Sequence, residues 1–263
     1  MITLTSAELN TWIAALLWPL TRILGLIAVA PVFGNTSVPV QVKIGIGVML
    51  TLIVAPTLPA LPTVDPMSFP GLLILVQQLI IGLGMGFAMR IIFAGVEMAG
   101  AITGMTMGLS FASFFDPQSQ GQSNFISQFM SLLATLAFLA VNGHLLLLSV
   151  LAHSFSTFPI SASPMGGQIF KQIADWGGII FSAGVQLSLP MVAALLITNI
   201  ALGILTRAAP QLNLFGIGFP ITLTIGFVVI GLALPYLATP LERLFQQGIE
   251  MAGQITMPAV KVP

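Results

Sequence analysis

Residues 71–115 are the feature that most limits what this chain can fold into, because only Arg90 and Glu97 carry charge in 45 consecutive residues. At 1.5 Å per residue a single helix of that length would reach roughly 68 Å, about twice the hydrocarbon core of a bilayer. The stretch must therefore turn back or run on outside the lipid, and a count of apolar segments is not a count of membrane crossings.

The rest of the chain has the same character. Of its 263 residues, 57% are hydrophobic and 5% charged, whereas about a quarter of a soluble protein is charged. Such a chain belongs in a membrane or a membrane complex. Seven basic and seven acidic residues cancel without forming a block of like charge, so nothing supports a nucleic-acid partner. There are no cysteines, which removes disulfides, thiolate chemistry and Cys-ligated metals. The opening MITLTSAELN lacks the positive region of a cleavable signal peptide, so 11–33 is expected to be a retained hydrophobic helix.

Further apolar segments are expected at 40–58, 125–152, 177–206 and 213–238, each near the length needed to span. Prolines mark segment ends (Pro31, Pro39, Pro56, Pro59, Pro62, Pro66, Pro70, Pro210, Pro240) but also fall inside segments at Pro19, Pro190, Pro220 and Pro235. An interior proline removes one backbone hydrogen bond and tends to kink its helix. Polar loops are expected at 59–70, 116–124 and 153–176. The last is the longest, and it sets off a C-terminal hairpin and a tail at 239–263. In that tail LERLFQQGIEMAG places Leu241, Leu244, Phe245, Ile249 and Met251 or Ala252 near one helical face, the pattern of an interfacial or partner-contacting helix.

Ionisable residues within apolar segments are the first functional suspects: Arg22, Arg90, Glu97, His144 and Asp116. Arg90 and Glu97 lie two turns apart, beyond the usual four-residue pair, and only Glu97 is a carboxylate well inside a segment. HExxH, GxSxG and a phosphate-binding GxxxxGK[ST] loop are all missing. No catalytic, cofactor or metal site is predicted.

Two features with physical content remain. Gly82 and Gly86, then Gly100, Gly104 and Gly108, repeat at four-residue spacing, which lets helix backbones approach closely where lipid offers no hydrophobic drive. Met85, Met89, Met98, Met105 and Met107 either fill irregular gaps or line an adaptable surface. They lead into Phe111, Phe114, Phe115, Asp116-Pro117 and a polar run. Proline disfavours helical geometry at Asp116 and turns the chain. Irregular backbone at membrane depth must be buried in protein or line a cavity, and phenylalanines there could close a pore by dewetting.

Several motifs together resemble the FliR family of flagellar export-apparatus proteins: WPLTRILGLIAVAP (18–31), VPVQVKIGIGVMLTLIVAPTLP (38–59), MGLSFASFFDP (107–117), NGHLLLL (142–148) and LTRAAPQLNLFGIGFPITLTIGF (205–227). The resemblance runs over nearly the whole chain in the right order. Cousins in virulence type III secretion share the architecture, but the wording of these motifs is closer to the flagellar branch.

The resemblance implies an all-α membrane-complex protein of kinked helical hairpins. A FliP-like part (1–175) would be joined to a FliQ-like hairpin with an amphipathic tail (176–263), and both would be built into a helical pore-forming assembly. It implies a non-enzymatic subunit of the type III export gate in the inner membrane, at the flagellar basal body. Partners would be FliP and FliQ in the gate core, then FlhB and FlhA, with membrane lipid around and unfolded flagellar proteins in transit. Energy would come from an ATPase and the proton-motive force. A plug loop maps near 108–122, with Phe111, Phe114, Phe115, Asp116 and Pro117 as its closing part and Met105 and Met107 as candidates for the pore lining. Gly100, Gly104 and Gly108 are the expected packing ladder. A virulence export subunit, or a solute transporter using Glu97 and Arg90, is the alternative.

Overall fold

Apolar residues dominate on every face of most segments, so the chain can satisfy its backbone in lipid only by closing hydrogen bonds within helices. The computed structural model describes residues 6–59, 61–109, 125–161, 166–209 and 218–256, and all regular structure among them is helical. In chain order the helices are α1 (Ser6–Val29), α2 (Val40–Val54), α3 (Phe69–Thr106), α4 (Phe125–Ala140), α5 (Gly143–Thr157), α6 (Gln168–Trp176), α7 (Ile179–Ala208) and α8 (Phe219–Gln254), with a 3-10 turn at Ala55–Thr57. Five stretches are long and apolar enough to cross a membrane, and α4 with α5 forms a broken sixth.

Over its described part, as far as Thr106, the overlong segment does not fold back, and 110–115 lie outside the described residues. It is one helix of 38 residues, and half of its most apolar window is buried, against 17% for α2 and 11% for the α6–α7 stretch. With α1 at 44%, α3 is among the more buried of these helices. The expected segment 125–152 is instead broken, because Asn142 adopts left-handed geometry (φ 55°, ψ 26°) and its carbonyl accepts from Leu145 and Leu146 to start α5. The expected loop 153–176 contains α6, whose Ile169, Ile173 and Trp176 recur at helical spacing. Hairpin arm 213–238 and tail 239–263 are joined: α8 runs through Pro235 and Pro240, while Pro220 sits in its first turn. The tail's predicted face is buried at Leu241, Leu244, Phe245, Met251 and Ala252, with Glu242, Arg243, Gln246, Gln247 and Glu250 exposed.

Two compact units interleave along the chain: Met1–Ile91 with Asn142–Gly177 and Phe245–Pro263, and Ile92–Val141 with Gly178–Leu244.

In the first unit α1 and α3 meet backbone to backbone. A Cβ on Gly82 would collide with the Arg22 carbonyl oxygen, and one on Gly86 would stand 2.8 Å from the Leu26 oxygen. The paired steps 22 to 26 and 82 to 86 show that the two helices run parallel there. After α1, Phe33 N–H donates to the Pro31 oxygen at 2.9 Å across Val32, whose φ is 71°. Such a turn is rare and strained for a β-branched residue.

In the second unit the contacts are looser in kind. A Cβ on Gly184 would stand 2.9 Å from Met98 Cγ, Phe93 meets Phe138 edge to face at 5.7 Å, and Gly95 faces Ala183. Gly100 is the exception: a Cβ there would stand 2.5 Å from Ser127 Cα, so it lies against backbone.

Candidate functional site

Residues 110–124 join α3 to α4, and the structure describes the two anchors on either side of them. Phe111, Phe114, Phe115, Asp116 and Pro117 lie outside the described residues. At the first anchor Met107 N–H donates to the Thr103 oxygen and Gly108 N–H to the Met105 oxygen, each at 3.0 Å. Gly108 has φ 86°, the left-handed conformation in which glycine commonly ends a helix. It therefore sits past the helix and is not a third rung of the ladder, whereas Gly100 and Gly104 are on α3 and buried.

Met107, a candidate for the pore lining, has a fully buried side chain. A Cβ on Gly226 of α8 would stand 2.5 Å from its Cε, so the thioether fills the space that glycine leaves. Thr222 Oγ1 donates to the Met107 carbonyl oxygen at 3.4 Å and to the Phe219 oxygen at 3.0 Å. Met105, two residues earlier, is 56% exposed. At the second anchor Ile126 and Ser127 are buried, and the Ser127 backbone lies on Gly100. Sequence reasoning misses the Met107 socket because its two halves are 119 residues apart.

The ionisable suspects separate. Arg22 is fully buried. Its Nε donates to Gln78 Oε1 at 2.8 Å, Nη1 to the Ser154 oxygen at 2.9 Å and Oγ at 3.1 Å, and Nη2 to the Phe158 oxygen at 3.0 Å. Its guanidinium lies 4.3 Å from the centre of the Phe155 ring. Both carbonyls belong to the end of α5, where the dipole favours a cation; the Ser154 oxygen also accepts from the Phe158 N–H at 3.0 Å. Arg22 thus closes α5 against α1 and α3 with charge-assisted hydrogen bonds rather than a carboxylate.

Glu97 is half-buried and accepts from Ser131 Oγ at 3.1 Å. Arg90 and His153 are exposed, while His144 has a buried Nδ1 without a hydrogen-bond partner. Among the described residues no three His, Asp or Glu gather where they could hold a metal ion. The geometry is that of helix fastening and of a loop held at a fixed base.

A profile of the family described as bacterial export proteins, family 1, matches residues 13–248. The chain is 44% identical over 255 residues to flagellar biosynthetic protein FliR of Pectobacterium carotovorum subsp. carotovorum and 42% identical over 255 residues to that of Escherichia coli (strain K12). In both cases the match covers 97% of this chain and 97% of the relative. To FliR of Bacillus subtilis (strain 168) it is 32% identical over 232 residues, covering 87% and 89%. With a matching family profile and end-to-end relatives at these identities, the chain belongs to the FliR family of bacterial export proteins.

Proposed function

We propose that this chain is an integral subunit of the flagellar type III protein export gate, helping to form the channel through which unfolded flagellar proteins leave the cytoplasm. The observation that carries this reading is the match over 97% of both lengths to relatives named as flagellar biosynthetic proteins. Five apolar stretches of spanning length support a membrane location, and in this reading the membrane is the inner one, at the basal body. FliP and FliQ are its core partners, with FlhB and FlhA adjoining. Residues 1–175 serve as the FliP-like part and 176–263 as the FliQ-like part.

In this reading 108–122 plug the closed channel, with Phe111, Phe114 and Phe115 as the seal and Asp116-Pro117 turning the chain. Met105, exposed beside the base, lines the lumen, and Met107 anchors the loop instead. Support comes from the Met107 socket and the Gly108 cap, because a seal must be held at a fixed point to close the same opening repeatedly. Gly100 and Gly104 pack α3 against its neighbours.

Affinity purification of the tagged chain from membranes of a flagellated cell tests the assignment. FliP- and FliQ-like chains should be recovered with it, and deleting its gene should abolish flagella. A stable monomer or dimer that binds a small solute would contradict the reading.

A further inference from the structure

Arg22 is charged, yet each acceptor described for it is neutral: a side-chain amide oxygen, two backbone carbonyls and a hydroxyl. Two further donors of the same unit, Trp18 Nε1 and Gln78 Nε2, are buried without a hydrogen-bond partner among the described residues. Trp18, Arg22 and Gln78 are each 0% exposed, so solvent does not reach them, and unpaired donors in such a place are costly.

Register brings these groups together. Gly82 lies on Arg22 and Gly86 on Leu26 where α1 and α3 run parallel, so Trp18 and Gln78, one turn earlier on each helix, stand at one level. A long helical side chain points back toward the N-terminus, which carries the guanidinium to that same level. Arg22 Nε–H donates to Gln78 Oε1 at 2.8 Å. This bond fixes the orientation of the amide and leaves Gln78 Nε2 within about 5 Å of Arg22 Nε. Here the N–H groups outnumber the oxygens that receive them by about two to one.

We infer that Trp18 Nε1, Gln78 Nε2 and the Arg22 guanidinium hold a small monovalent anion, a halide such as chloride, inside the first unit. The balance of donors and acceptors decides the ligand. A water molecule brings as many donors as acceptors and leaves the excess of N–H groups as it was. An anion brings acceptors alone, and it supplies the counter-charge that the neutral acceptors do not. Full burial of the three side chains limits its size, which selects against phosphate and against a carboxylate carried by a second molecule. The ion helps to fasten α1 to α3 and is not a cargo, so the inference is independent of the export reading.

The test is heat unfolding of the full chain, purified in detergent with any partners it retains, in sodium chloride and in sodium gluconate at equal ionic strength. Chloride should raise the midpoint of the parent by about 3 °C and then saturate. Trp18→Phe keeps an aromatic ring but removes one N–H, so about tenfold more chloride should be needed for half the effect. Gln78→Glu supplies the counter-charge from within. Its midpoint should no longer respond to chloride and should stay at or above that of the parent in gluconate. Equal midpoints for the parent in the two salts would overturn the inference and leave water as the ligand. A chloride response retained in Gln78→Glu, or a half-effect unmoved by Trp18→Phe, would place the ion elsewhere and overturn it too.

Discussion

The two units solve one problem with different materials. Around Arg22 the helices are fastened by directional contacts: four hydrogen bonds from one guanidinium, and glycines that bring α1 and α3 into backbone contact. Around Met107 they are held by shape, with flexible thioethers set over Gly226 and Gly184. A hydrogen-bonded junction has one good geometry, whereas methionine on glycine has several of similar energy. Rigid fastening thus lies in the unit of α1, α2 and α5, and adaptable packing lies where residues 110–124 are anchored.

The contrast breaks most visibly at Arg22. Arg22→Met strands the Gln78 and Phe158 acceptors in a buried site, and the full chain should lose about 3 kcal/mol or more. Arg22→Lys keeps the charge without the planar fork and should lose roughly half of that. Thermal unfolding of the purified chain in detergent, with its steady-state level in membranes, reads both. Equal stability of Arg22→Met and the parent would show that the junction is ornamental.

Next come the glycines. Gly82→Ala forces α1 away from α3 against backbone and should cost about 2 kcal/mol, whereas Gly226→Ala meets only the movable end of Met107 and should cost about 1 kcal/mol or less. Reversed order in the same unfolding assay would remove the distinction between the units.

Smaller effects sharpen it further. Val32→Gly relieves a left-handed β-branched residue and should raise stability by about 1 kcal/mol, seen as a higher unfolding temperature. Glu97→Gln leaves an amide oxygen for Ser131 and should change stability by less than about 0.5 kcal/mol, with motility retained. Loss of export without loss of protein would instead point to proton-coupled chemistry at Glu97.

Local features are legible in the amino-acid sequence. The long apolar run that becomes α3, the buried face from Leu241 to Ala252 and the suspicion about Arg22 all follow from spacing and burial cost. The break at Asn142 is signalled by its Asn-Gly pair, but the apolar run on both sides outweighs it. Polar residues hide α6, although Ile169, Ile173 and Trp176 carry the period. What no local pattern reveals are the partners of Arg22, 56 to 136 residues away, and the Met107 socket. These depend on which helices become neighbours, and nearly uniform hydrophobicity leaves that choice unmarked.

We propose that residues 108–122 seal an export channel from a base fixed at Met107. The most direct test is the ionic conductance of the assembled gate in planar bilayers, comparing the parent with a deletion of Phe111 to Phe115. The account predicts a closed parent and a deletion that leaks small ions while still assembling with its partners. Equal conductance in the two assembled gates would contradict it.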